Sequence, residues 1–157
     1  MTIIEMTDAD IPEVSALLGR SYGAVAEREG LSADQERFLV SERGSIGCVR
    51  RESQHQHYLV ARESGSIIGV VAVSGDLIAK LYVDPESQGQ GVGRALYGSA
   101  ERLILGTGHS RVRLGAFPTA VPFYQRMGLS VVREKRATGP LTGWTVMLME
   151  KHLGEAT

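Results

Sequence analysis

Three glycines at alternate positions, Gly89, Gly91 and Gly93, stand between an apolar run and an amphipathic one. Leu77 to Val83 has the β-branched and aromatic content of a strand, and Asp84-Pro85 ends it, because proline lacks an N–H and restricts the residue before it. Beyond the glycines, Val92, Ala95, Leu96, Ser99, Ala100, Leu103 and Ile104 recur in the i, i+3, i+4, i+7 series of a helix with one buried face. A strand, a glycine loop and a helix start make a natural anion site. The first N–H groups of a helix have no partner within it, and the macrodipole leaves that end partly positive. Glycines remove the Cβ atoms that would hold a phosphate away from the backbone.

Two nucleotide-binding patterns fail on this loop. A P-loop needs Lys-Ser or Lys-Thr after its last glycine, and Arg94-Ala95 follows Gly93. A dinucleotide fingerprint starting at Gly91 would need glycine or alanine at the position held by Leu96, and one starting at Gly89 would need it at Arg94. That fingerprint also opens the first βαβ unit of its domain, whereas this loop lies past the midpoint of the chain.

The elements that must position the loop follow from local pattern. Thr2 to Met6 reads as a first strand, and Thr7 or Asp8 as the cap of a helix that buries Ile11, Val14, Leu17 and Leu18, with Pro12 in its first turn. Gly19 to Gly30 reads as a loop or frayed helix carrying Glu27 and Glu29. Ser32 to Gln35 forms a capping box for a second helix through Glu42, and Ser45 to Glu52 a third helical piece with Ile46 and Val49 inward. Tyr58 to Ala61 and Ile67 to Val73 make a hairpin about Glu63 to Ser66. Arg111 to Leu114 alternates like a strand with one solvated side. Thr119 is read as the cap of a short helix to Met127, with Gly128 just past its end. Leu129 to Glu134 and Trp144 to Glu150 supply two last strands. The expectation is an α/β fold occupying residues 1–157 as a single domain, with a mixed, mostly antiparallel sheet of six to seven strands flanked by helices.

Composition sets the remaining bounds. A chain of 157 residues, 43% hydrophobic and 22% charged, suffices for one domain with a real core. The formal charge of −1 supplies no general attraction to nucleic acid or an anionic membrane, so an anion site must be local. No nucleic-acid or membrane partner is expected. The one cysteine, Cys48, permits no internal disulfide, and no histidine stands at metal-ligand spacing from a cysteine or acid, so no metal is expected. Without a targeting or membrane-spanning segment, the chain reads as cytoplasmic. Assembly as a homodimer is left open.

The loop, Gln88-Gly89-Gln90-Gly91-Val92-Gly93, resembles the coenzyme A loop of the GNAT superfamily of N-acetyltransferases: Gln or Arg, two residues, Gly, one residue, then Gly or Ala. Leu81 to Pro85 is similar to that family's fourth strand and its exit. Ala120-Val121-Pro122-Phe123-Tyr124-Gln125-Arg126-Met127-Gly128-Leu129 is similar to its Ala-x-x-Phe-Tyr-x-x-x-Gly-Phe segment. The resemblance runs over residues 57 to 152, and before that by general pattern alone. It implies a splay between the fourth and fifth strands and acetyl-CoA as cosubstrate. It also implies transfer of the acetyl group to a primary amine, on a small molecule or a peptide, by direct attack in a ternary complex. A catalytically silent acyl-CoA-binding sensor is the alternative.

The resemblance assigns roles residue by residue. Main-chain N–H groups of Gln88, Gly89, Gln90, Gly91, Val92, Gly93 and Arg94 would hold the diphosphate, with the Arg94 side chain adding a contact. Leu81, Tyr82 and Val83 would pair with the pantetheine arm through their main chain. Tyr124 would assist the departing thiolate. Its phenol, near pKa 10, is a weaker acid than a thiol near 8.5, so hydrogen-bond stabilisation outweighs full proton transfer. Phe117 stands where many relatives have an asparagine. For the general base, the candidates are Asp76, Glu27, Glu29, His55, His57 or water. Cys48 lies in neither motif, and a covalent route through it has no support.

Overall fold

The computed structural model describes residues 1–154. Seven strands form one sheet: β1 (Thr2–Glu5), β2 (His57–Glu63), β3 (Ser66–Ser74), β4 (Leu77–Val83), β5 (Arg111–Ala116), β6 (Ser130–Arg136) and β7 (Thr145–His152), in the order β1-β2-β3-β4-β5-β7-β6. The helices are α1 (Ile11–Glu29), α2 (Ala33–Phe38), α3 (Ile46–Glu52), α4 (Val92–Gly106) and α5 (Val121–Arg126). No helix among the described residues is long and apolar enough to cross a membrane.

Every sheet neighbour pairs antiparallel except β4 and β5. These two are parallel, and their register consists of the single pair Leu77↔Arg113. Asp76 bolts the join: its carbonyl accepts the Arg113 N–H at 3.0 Å. Its carboxylate accepts Nε of Arg111 at 2.8 Å and of Arg113 at 2.6 Å. Above that point the strands part. The expected splay is present, and its hinge is an ion-paired turn.

Each face of the sheet carries a core. On one side Val92, Leu96, Tyr97, Ala100 and Ile104 of α4 bury against β3, β4 and β5, joined by Tyr124 and Leu129. Gly69 on β3 permits the contact, since a Cβ there would lie 2.7 Å from Leu96 Cδ1 and 3.1 Å from Val92 Cγ1. On the other side Ile11, Val14, Leu17, Leu18, Tyr22 and Val25 of α1 cover Tyr58, Val60, Val70 and Ala72. Each such buried large side chain contributes about 1.5–3 kcal/mol. β3 is buried along nearly its whole length because both layers close on it.

The structure corrects the expected elements at four places. First, α1 does not fray at Gly19 but runs on to Glu29. Ser21, Tyr22, Val25 and Ala26 keep the helical stripe buried, which outweighs about 1 kcal/mol per interior glycine at Gly19 and Gly23. Second, α2 starts from the expected box, with Gln35 N–H on Ser32 Oγ at 3.1 Å and Ser32 N–H on Gln35 Oε1 at 3.0 Å. It nevertheless gives way at Leu39–Arg43 to a wider π turn that lets Leu39 point inward. Third, α3 is capped by Ser45 and buries Val49, but Ile46 is 41% exposed and Cys48 takes the inward place. Fourth, Thr119 caps nothing. It lies in a tight turn, Pro118–Ala120, and its hydroxyl and N–H are claimed by Glu29.

Candidate active site

The parting of β4 from β5 opens a cavity of about 420 Å³. Its walls are the inner edges of the two strands, the glycine loop with the start of α4, the start of α5, and one face of α1. α1 crosses above the gap and is tied to both lips. Arg20 pairs with Asp84 at the exit of β4 at 2.6 Å, and Glu29 accepts the Thr119 N–H beyond the exit of β5 at 3.0 Å. Between those ties Ser21, Ala24, Val25 and Arg28 face the cavity, at the i, i+3, i+4, i+7 spacing of one helical face.

The glycine loop is shaped from within. Gln88 turns its side chain back, and Nε2 donates to the Val83 carbonyl at 3.1 Å, which pins the loop to the strand it follows. Gly89 (φ 76°) and Gly91 (φ 80°) hold left-handed backbone, with no protein atom within 4 Å of where a Cβ would stand. Gly93 has a different reason: a Cβ there would come 3.3 Å from Phe123 and 3.5 Å from Val83. The first helical bond of α4 runs from the Ala95 N–H to the Gly91 carbonyl at 3.0 Å. Among the described residues, no main-chain N–H from Gln88 to Arg94 donates to a protein atom. A run of free donors therefore converges at the positive end of a 15-residue helix. Arg94 is exposed at its rim.

The open edge of β4 sorts its residues by alternation. Asp84 donates its N–H to Ile68 on β3 at 2.8 Å, so the paired positions in register with it send their main chain to β3. Tyr82, opposite Val70, is one of these. Leu81 and Val83 therefore direct their main-chain groups toward the gap, and Tyr82 does not. This corrects the expectation for Tyr82, whose contribution to the cavity is its side chain, set edge-on to Tyr22 with ring centroids 5.0 Å apart. Burial pushes the Tyr82 phenol up to about 12, while the Tyr22 hydroxyl and the positive charges of Arg43 and Arg28 pull it back.

Tyr124 lines the same cavity, is 8% exposed, and packs against Phe123 with centroids 5.0 Å apart. Its hydroxyl makes no hydrogen bond to another described residue. Burial drives its pKa well above the ordinary phenol value, so the group stays protonated and acts as a donor. Phe117 also faces the cavity and stacks on Trp144 at 4.1 Å between centroids.

None of the side chains expected as general base lines the cavity. Asp76 is held by Arg111 and Arg113 at the closed end of the splay, and Glu29 is committed to Thr119. Glu27, His55 and His57 are exposed and lie off the lining. Cys48 on α3 is buried off the lining, donating to Glu52 at 3.2 Å, with its thiol pushed up by burial. Among the described residues no group of His, Cys, Asp and Glu is arranged to hold a metal ion.

Two sets of lining residues escape the reading of the sequence. One is the α1 face, hidden because glycines at 19 and 23 break the local helix signal; Ser21 and Val25 at helical spacing from Leu18 were the clue. The other is Lys80, 8% exposed in the middle of β4. Its ammonium donates to Glu52 Oε2 at 2.7 Å, the Arg43 carbonyl at 2.8 Å and the Tyr58 hydroxyl at 3.3 Å. Tyr58 in turn donates to Glu52 at 2.8 Å. The set is self-satisfied, as a buried charge requires, and it ties α3 to the floor of the cavity.

These ion pairs give stability a definite pH dependence. Burial raises the Glu52 carboxyl, but hydrogen bonds from Lys80 and Tyr58 more than offset it; Asp76 with its two arginines and Asp84 with Arg20 behave alike. A carboxyl held lower in the folded state than in the unfolded one stabilises above the unfolded value, and that contribution is lost as pH falls through the folded value. The melting temperature is therefore expected to be level from pH 7 to about 5 and to drop steeply below about 4. Asp76→Asn should flatten the drop. Scanning fluorimetry across pH 3 to 7 checks this, and an acid limb identical in the variant would remove Asp76 from the account.

Comparison with known proteins extends these observations. A family model described as Acetyltransferase (GNAT) domain matches residues 28–152. Mycothiol acetyltransferase from Streptomyces coelicolor is 34% identical over 151 residues, covering 90% of this chain and 45% of that protein. The chain thus spans less than half the length of this curated relative. Among solved structures, a GCN5-related N-acetyltransferase from Rhodopseudomonas palustris has a TM-score of 0.89 at 21% identity, over 97% of this chain and 95% of that one. The PaiA N-acetyltransferase of Thermoplasma acidophilum, solved in complex with coenzyme A, has a TM-score of 0.76 at 20% identity, over 97% and 99% of the two chains.

Proposed function

Because the chain belongs to the GNAT acetyltransferase family, we propose that it moves an acetyl group from acetyl-CoA to a primary amine by direct attack in a ternary complex. The observation that carries this reading is the run of free N–H groups from Gln88 to Arg94, opening into the same cavity as the Tyr124 hydroxyl. The donor set fits a diphosphate: main-chain N–H groups at a helix N-terminus, left-handed glycines with open space above them, and Arg94 at the rim. Acetyl-CoA supplies an acyl group activated as a thioester. The chain's own residues do the rest.

Leu81 and Val83 present main-chain groups along the open edge of β4, where an extended ligand arm adds as a further strand. An N–H there is also a donor for a carbonyl oxygen that gains negative charge. Tyr124, protonated and unpartnered, donates a hydrogen bond to a developing thiolate. The acceptor must arrive as a free amine. Among the described residues the lining carries Arg28, Arg94 and Arg126 without acidic partners, Lys80 paired with Glu52, and no carboxylate. An ammonium entering such a field is destabilised by like charge and by desolvation, so it releases its proton more readily. Water then suffices as the base.

Thermal shift and thiol release test the reading together. Acetyl-CoA at a hundred times its Kd should stabilise the fold by about 2.7 kcal/mol, with NAD and ATP giving no shift, and a panel of primary amines should release thiol. A midpoint raised by acetyl-CoA with no thiol release from any amine would turn the reading to the silent acyl-CoA sensor.

A further inference from the structure

The end of the cavity beneath α1 is charged in a way that acetyl transfer alone does not require. Arg94 on α4 and Arg126 on α5 line the cavity along with the glycine loop, and Lys80 is matched by Glu52 at 2.7 Å. Arg28 remains. It shares the cavity-facing stripe of α1 with Ser21, and among the described residues no carboxylate pairs with it. Ser21 is only 4% exposed, yet its Oγ has no hydrogen-bond partner among the described residues. A buried hydroxyl left so is destabilising, and a bound polar group would recover that cost. Seven residues separate the two side chains, two helical turns or about 10 Å, the span of a small bifunctional molecule or a short peptide.

Resting on the reading of the chain as an amine acetyltransferase, we propose that its acceptor is an amine that also carries a carboxylate, seated along α1 with the carboxylate on Arg28 and a polar group on Ser21. A guanidinium offers a planar pair of donors that matches a carboxylate. The same wall repels multiply cationic amines, because the lining holds no acid to receive a second ammonium among the described residues. The carboxylate can come from a free amino acid or from the C-terminus of a short peptide.

Matched pairs decide the point: L-leucine against L-leucinamide, β-alanine against propylamine, and leucyl-glycine against its C-terminal amide. Each is assayed by thiol release from acetyl-CoA and, without need of turnover, by the midpoint shift it adds to protein saturated with coenzyme A. The acid of at least one pair is expected to exceed its neutral partner roughly 10- to 100-fold in kcat/KM, as a charge-assisted bond predicts. Whether the amino acids or the peptide show it identifies the source. Arg28→Gln should abolish the preference by raising KM for the acid to that of its neutral partner, and Ser21→Ala should weaken leucyl-glycine and its amide alike, several-fold, through the peptide group both carry. Arg28 is exposed, so the variant is expected to fold. Equal or better use of the neutral partners, or a preference that survives Arg28→Gln, overturns the proposal. Thiol release without preference would do so while leaving acetyl transfer intact. A carboxylate preference in the midpoint with no thiol release would support the subsite and overturn transfer instead.

Discussion

Tyr124→Phe is expected to lower kcat roughly 10- to 1000-fold, the range for lost acid assistance, while the KM for acetyl-CoA changes little. The hydroxyl is the one group lost, and it makes no hydrogen bond to a described residue, so removing it leaves no protein partner unsatisfied. The ring keeps its contact with Phe123. Stability should therefore hold, or rise slightly, as a partly buried hydroxyl is removed. The pH profile adds a second check. Burial holds the phenol protonated well past neutrality, so the variant should lose the same factor at pH 7 as at pH 9. Steady-state kinetics on the amine that gives the fastest thiol release would measure both. Turnover equal to that of the parent would exclude Tyr124 from the mechanism.

The second large effect lies at Gly91. With φ at 80° and no protein atom within 4 Å of the place a Cβ would take, the position is held by backbone conformation and by what must approach it, not by packing. Valine there meets left-handed strain of about 1–2 kcal/mol and adds branched bulk above the free N–H groups. The free loop relaxes away from that strain, binding must restore it against the added bulk, and the Kd for acetyl-CoA should rise by about 100-fold, each 1.4 kcal/mol being a factor of ten. The core on α4 begins at Val92 and is untouched, so the unliganded melting temperature should fall by only a few degrees. Calorimetric titration against the far-ultraviolet melting curve separates the two effects. An unchanged Kd in a folded variant would mean that the diphosphate is held elsewhere.

Much of the architecture was legible in one dimension because the signals are local. β4 was bounded by its apolar run and by Asp84-Pro85, and the α4 stripe by its period; β5 alternates buried and exposed from Arg111 to Ala116, as its residues suggest. The capping box at Ser32 and the helix stop at Gly128 also rest on contacts a few residues apart. The errors fall where a distant partner decides. Gly19 and Gly23 looked like breaks in α1 because the sheet that buries its next two turns comes later in the chain. Thr119 looked like a cap because Glu29, which claims it, lies 90 residues away. Asp76 looked like a base because the arginines that hold it lie 35 and 37 residues further on.

The order of residues alone determined that a glycine loop stands between strand and helix, that it resembles the coenzyme A loop of the GNAT family, and that Tyr124 belongs to a second segment similar to that family's. Those are properties of spacing, and spacing survives without a fold. Folding in three dimensions decided the rest: α1 lies across the parted strands, Leu81 and Val83 rather than Tyr82 face the gap, and the cavity wall is cationic. Each of these depends on which side of a strand or helix turns toward residues far along the chain. That is settled when burial and ion pairing bring the distant segments together.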